Sequence, residues 1–184
     1  MVKIVNIVAS GHFGCEFDLG PLAADIGASQ VQYEPETFPG LQIRFESDGP
    51  VMILYSTGTY TIMGAKSESE LTNLYKRASV ALAELNIEID LKESHPEIRN
   101  LICKGNLGRE VNLEALAIGL GMENIEYEPE QSPFVYYWPE DLDCLLTIPS
   151  NGEIIITGVE RIEEANKALN HLQTRMKSIL HQDS

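Results

Sequence analysis

YEPETFPG, residues 33–40, returns as YEPEQSPF at residues 127–134, an offset of 94 positions. The same offset carries Asn6 to Asn100, Gly14 to Gly108, Leu19 to Leu113, Leu22 to Leu116, Ala23 to Ala117 and Gly27 to Gly121, and then Gly58 to Gly152 and Gly64 to Gly158, with no insertion or deletion. Chance does not hold register over such a span. A chain written twice, and only twice, excludes a stacked solenoid, which needs about three or more units, and favours one pseudo-twofold body. The duplication sets a first repeat at residues 1–94 and a second at 95–184.

Working outward from the motif, Val2 to Ser10 is apolar and β-branched, which predicts a strand, and FDLGPLAADIGA places Leu19, Leu22, Ala23 and Ile26 at helical spacing behind Asp18 as N-cap. Strand-like runs follow near 30–34, 40–46, 50–56 and 59–64, divided by turns at Pro39-Gly40, Asp48-Gly49 and Thr57-Gly58, with Gly64 ending the last. Ser67-Glu68-Ser69-Glu70 forms a capping box for a long helix carrying Leu71, Leu74, Ala78, Leu82 and Leu85. The second copy repeats the order and closes with a helix from about Ile162 to Leu180. Each repeat therefore reads β-α-β-β-β-β-α. Its antiparallel sheet buries one face under the helices and leaves the other free, and two fused copies predict an α+β fold with one long curved sheet. The free face is the functional candidate, because its outward residues are not needed by the core.

Bulk properties narrow the function. At 184 residues with 43% apolar content, the chain can bury a core. Its apolar runs fall short of the roughly 18 residues that span a bilayer, and MVKIVNIVAS lacks a signal-peptide pattern, so a soluble, cytoplasmic protein, nucleoid-associated if it meets DNA, is expected. Cys15, Cys103 and Cys144 have no metal or disulfide spacing and read as small buried hydrophobes. A net charge of −15 argues against general nucleic-acid affinity, which comes from cations neutralising phosphates. A salty cytoplasm and a basic partner are both consistent with that acidity.

The element order, with NIVAS, YEPETFPGL and GAKS, resembles the TATA-box-binding protein family, archaeal type, over nearly the whole chain. The resemblance implies a saddle-shaped sheet with helices on its convex side, whose concave side lies in the minor groove of promoter DNA while aromatic wedges kink the duplex. It places wedges at Phe38 and Tyr55, base-reading amides at Asn6 and Asn100, phosphate contacts at Arg44 and Lys66, and groove-facing residues at Val8, Ile53, Thr61, Ile102, Ile155 and Thr157. Met63 stands where the family usually has a threonine. The second repeat departs further, with Ser132 and Pro149 at the wedge positions, Trp138 answering Arg44, Glu160 answering Lys66 and Glu153 answering Thr59, where the family usually has lysine, so that two acids expected to repel phosphate stand where cations are implied. Phe134 and Trp138 are candidates for a displaced wedge that register alone does not place. Glu128 and Glu130 match the family's contacts to transcription factor B, so the implied partners are TATA-like duplex DNA, transcription factor B with the RNA polymerase machinery, and, in the free protein, a second copy of the chain.

Plainer readings stand beside these. Phe38 and Tyr55 are also ordinary sheet aromatics, Arg44 and Lys66 common surface cations, and Glu34, Glu36, Glu128 and Glu130 solvated turn acids. The altered second repeat equally fits a paralogue that holds transcription factor B with weak or altered DNA binding, and a bare ligand-binding scaffold ranks third. No enzyme is indicated: His12, His95, His171 and His181 are scattered, and no phosphate loop, nucleophile elbow or dinucleotide fingerprint is present, so no catalytic residue, cofactor or metal is named.

Overall fold

Side-chain alternation decides which face of each strand is covered. In β1 (Lys3–His12), Ile7 and Ala9 are fully buried while Asn6, Val8 and Ser10, pointing the other way, stay half-buried. The computed structural model describes the backbone of residues 1–182 and the side chains of residues 1–179. After β1 come α1 (Leu19–Asp25), β2 (Gln30–Gln32), β3 (Leu41–Arg44), β4 (Val51–Leu54), β5 (Thr59–Ala65) and α2 (Glu68–Glu84). The order then repeats as β6 (Glu97–Asn106), α3 (Leu113–Leu120), β7 (Ile125–Glu126), β8 (Phe134–Tyr137), β9 (Leu145–Pro149), β10 (Glu153–Val159) and α4 (Ile162–Gln182).

The fold is α+β, and the strands of each repeat are hydrogen-bonded into a sheet. Strand order is β2-β3-β4-β5-β1 in the first repeat and β6-β10-β9-β8-β7 in the second, and the pairings within each are antiparallel. By compactness one unit runs from Asn6 to Arg99, and the other takes Met1–Val5 with the chain from Asn100 onward. The N-terminal residues thus join the second half, where the Val2 N–H donates to Asn166 Oδ1 at 3.0 Å.

In the unit from Asn6 to Arg99, the covered face is Ile7, Leu41, Ile43, Met52, Leu54, Tyr60 and Ile62, all at 0% exposure. Leu71, Leu74, Tyr75, Ala78 and Leu82 of α2 supply buried partners, and α2 packs on β5. Full burial of one such side chain is worth roughly 1.5–3 kcal/mol. Phe13, Tyr60 and Tyr75 stack within this core, and the Tyr60 hydroxyl donates to the Ser94 carbonyl, so both tyrosines bury rings without orphaning a polar atom. In the other unit Cys103, Val135, Leu146, Ile148, Ile154 and Ile156 play the same part against Ala165, Leu169 and Leu172 of α4.

Several local expectations need correction. Asp18 sits at the N-cap of α1, but its side chain makes no capping bond. Ser67 does cap α2, accepting from the Glu70 N–H at 3.2 Å, whereas Glu70 reaches back to the Lys66 N–H and not to that of Ser67. Leu85 follows the last helical residue as C-cap. Strands β3 and β4 are shorter than their apolar runs, because the Gly49 N–H to Glu46 carbonyl bond and the Tyr55–Thr59 closure draw flanking residues into turns. Cys15 is only half-buried, unlike Cys103 and Cys144, although burial raises the pKa of all three thiols.

Gly64 does not end β5; it makes a bulge inside it. The ladder pairs Ile7 with Ala65 but Val8 with Met63, leaving Gly64 out of register at φ +91°. The second repeat repeats the device: pairing jumps from Ile156–Cys103 to Val159–Leu101, and Gly158 has φ +89°. A side chain rarely adopts that backbone conformation, so glycine is required at both places.

Candidate nucleic-acid interface

Each bulge frees one backbone N–H, and an asparagine takes it up. Asn6 Oδ1 accepts from the Gly64 N–H at 2.7 Å, and Asn100 Oδ1 from the Gly158 N–H at 2.8 Å. An N–H requires an oxygen opposite it, so the amide flip is settled by chemistry and Nδ2 with its two hydrogens points away from the bulge. Among the described residues Nδ2 of neither asparagine has a protein acceptor. Each repeat therefore presents a fixed donor on the uncovered side of its sheet.

Around Asn6 the uncovered side mixes apolar with small uncharged polar side chains. Gln42, Ile53, Thr61 and Ser10 lie in one cross-strand row, and Val51, Met63 and Val8 in the next. Val8, Thr61 and Met63 are half-buried; Ile53, expected to face a groove, is only 9% exposed. The Phe38 ring lies near it, since a Cβ placed on Gly40 would stand 2.5 Å from Ile53 Cγ2 and 2.7 Å from Phe38 Cε1. Phe38 also meets Tyr55 edge to face, with centroids 6.3 Å apart at 61°. The two expected wedges are thus brought together on one face, partly exposed and braced by each other.

The expected cations differ in freedom. Lys66 is exposed at the end of β5, while Arg44 is half-buried and donates to the Gly49 carbonyl at 2.8 Å, which holds its guanidinium against the β3–β4 turn. Two further cations escaped the sequence reading. Arg99 donates to Ser10 Oγ at 2.9 Å and pairs with Glu97, and Lys104 pairs with Glu153 at 2.7 Å. Alternation along β6 from Asn100 and Ile102 puts Lys104 on the same face, a signal that the sequence did contain. The acid expected to repel phosphate at position 153 instead neutralises a neighbouring lysine.

In the second repeat Ile102, Ile155 and Thr157 are half-buried on the uncovered side, beside Leu145, Thr147 and Pro149 of β9. Phe134 and Tyr136 share that side, opposite the buried Val135 and Tyr137. Trp138 is 44% exposed just beyond β8, and Glu160 is exposed just beyond β10. Glu128 and Glu130 project from an exposed loop. Glu34 is tied down by Gln32 Nε2 at 3.2 Å and by Thr37 Oγ1, whereas Glu128 has Glu126 and Gln131 at those positions and makes no such bond among the described residues. Its carboxylate is therefore free to meet a cation.

Sequence and fold both place the chain beside one family. The family model described as transcription factor TFIID (or TATA-binding protein, TBP) matches residues 1–85 and 95–179. TATA-box-binding protein C of Halobacterium salinarum is 36% identical over 179 residues, covering 97% of this chain and 99% of that relative. The TATA-box-binding protein of Archaeoglobus fulgidus is 32% identical over 178 residues, covering 97% and 96%. Among solved structures, Methanococcus jannaschii TBP aligns with a TM-score of 0.85 at 32% identity, covering 96% of this chain and 98% of that one. In the described residues no helix is long and apolar enough to cross a membrane.

Proposed function

The chain belongs to the TATA-binding protein family, a family of DNA-binding transcription factors and not of enzymes, and from that premise we propose that it binds and bends A·T-rich promoter DNA through the minor groove and recruits transcription factor B. The observation that carries the reading is the uncovered sheet side of each repeat, partly apolar and poor in free cations, with one outward amide fixed by a glycine bulge. A·T pairs offer only the adenine N3 and thymine O2 acceptors in the minor groove, which a fixed Nδ2 donor matches, while guanine N2 would place a donor against a donor. The Phe38–Tyr55 pair acts as the wedge of the first repeat, partly unstacking a base step so that a bent duplex covers more protein surface. Arg44 and Lys66 hold phosphates at the edge of that repeat. With a net charge of −15, shape and apolar contact contribute more of the affinity than counterion release does.

Glu128 and Glu130 are the docking acids for the basic surface of transcription factor B, setting orientation and association rate. RNA polymerase joins through that complex. The free protein uses the same partly apolar sides to pair with a second copy until DNA displaces it. The test is a gel-shift series on TATA-containing duplexes across salt, with and without transcription factor B. A retarded, sequence-dependent complex that grows more stable with the factor is expected, and no specific complex under any condition refutes the proposal.

A second reading is favoured by Ser132, Pro149, Trp138 and Glu160, which remove rings and cations from the second repeat: a paralogue that holds transcription factor B with weak or altered DNA binding. It predicts capture of the factor without DNA, lost on Glu128→Arg. Capture only in the presence of duplex excludes it.

A further inference from the structure

The second repeat has not lost its ring; it carries the ring two residues later. The loops before β3 and β8 share one backbone pattern: the Thr37 and Phe38 N–H groups both donate to the Glu34 carbonyl, at 3.0 and 2.9 Å, and those of Gln131 and Ser132 to the Glu128 carbonyl, both at 2.9 Å. Ser132 therefore occupies the backbone place of Phe38 with no slip of register. Beside Phe38 the chain needs Gly40, because a Cβ there would stand 2.7 Å from the ring. The residue at Gly40's place in the second repeat is Phe134. A side chain rooted there grows into the volume that the Phe38 ring takes in the first repeat, and that volume is open because residue 132 is a serine.

The surroundings of Phe134 are those of a supported ring. It lies in register with Pro149 on the uncovered side of the sheet and is half-buried. Its centroid is 6.3 Å from that of Tyr136 at 73°, close to the 6.3 Å and 61° of Phe38 and Tyr55. Tyr136 takes the place of Gln42, and its hydroxyl lies 3.3 Å from Ser132 Oγ. An aromatic pair of matching geometry has been rebuilt from positions 134 and 136.

We infer that Phe134, backed by Tyr136, is the DNA wedge of the second repeat, entering a base step in place of the residues at 132 and 149. The inference rests on the minor-groove reading above. Placing the ring on a strand instead of a loop reduces the side-chain and backbone freedom lost on insertion. It also moves the point of insertion by the shift from one backbone position to the next on the same face.

The experiment measures the end-to-end distance of a doubly fluorophore-labelled A·T-rich duplex, with affinity read from the same titration at one salt concentration, using the full chain. Phe134→Ala should leave the duplex straighter and bind roughly tenfold more weakly, within the range that loss of one base-stacking aromatic produces. Trp138→Ala, the competing ring, should bend the duplex as the parent does. Ser132→Phe combined with Phe134→Gly recreates the first-repeat arrangement and should restore bending, which a merely unfolded variant cannot do. Parent-like bending by Phe134→Ala, or loss of bending with Trp138→Ala instead, overturns the inference while the minor-groove reading stands. A parent protein that leaves the duplex straight and unbound overturns both.

Discussion

Replacing Asn6 by Asp exchanges one terminal atom and separates the two jobs of that side chain. Oδ1 accepts the Gly64 N–H at 2.7 Å, and a carboxylate oxygen accepts such a bond at least as well as an amide oxygen. Stability in urea should therefore remain within about 0.5 kcal/mol of the parent, as for an ordinary surface exchange. The outward atom changes completely, from a nitrogen with two hydrogens to an anionic oxygen with none. Against the acceptors of an A·T minor groove, the variant loses its donor bonds and leaves a charged group unpaired in a site drained of water. That combination costs about 2–3 kcal/mol, or roughly 30- to 150-fold in Kd. Fluorescence anisotropy of a labelled A·T-rich duplex at fixed salt measures it, with urea unfolding of the same samples as control. Asn100→Asp should behave alike, since its bond to Gly158 is 2.8 Å. An Asn6→Asp protein with parental affinity, or one whose affinity falls only as far as its stability does, refutes the claim that the bulge aims the amide.

Gly158→Ala forces a side chain onto φ +89° and should lower unfolding free energy by about 1–2 kcal/mol, read from denaturant midpoints at unchanged m. Glu153→Gln releases Lys104 from its 2.7 Å ion pair; stability should move by less than about 1 kcal/mol, because the pair is exposed. In the same variant the slope of log K against log salt for duplex binding should steepen by about 0.9, the signature of one more phosphate contact. Glu164 has its pKa lowered, first by the side-chain bond from Arg161 and then by the Glu160 N–H, so its contribution is present above the ordinary carboxylate pKa and fades as pH falls through the lowered value. Glu164→Gln should flatten the acid limb of a stability–pH curve while leaving DNA affinity at neutral pH unchanged.

The internal duplication was legible from residue identities alone, because a conserved offset needs no geometry to detect. The element order followed from it, since apolar alternation in β1 and β10 and helical spacing in α2 are local signals that the tertiary structure did not override. The roles of Asn6, Phe38 and Tyr55 came instead from the resemblance to a known family, since the repeat itself pairs Phe38 with Ser132 and Tyr55 with Pro149. Strand ends were less legible: apolar runs at 40–46 and 50–56 continue past the ladder, and only the turn hydrogen bonds decide where pairing stops.

What the sequence by itself determined, then, is which residues share a face and which positions correspond, because both depend on periodicity along the chain. What only the tertiary structure decided is what each side chain meets across the sheet. Gly64 reads in sequence as a strand terminator and is in space the bulge that aims Asn6. Glu153 reads as a repulsive acid and is in space the partner of Lys104. Phe134 reads in sequence as one of two rings that register cannot place, and is singled out only when the Phe38 ring is seen to fill the volume above Gly40. The physical reason is common to all three: contacts between strands join residues far apart in the chain, and their distances are set by register and close packing, which no local pattern encodes.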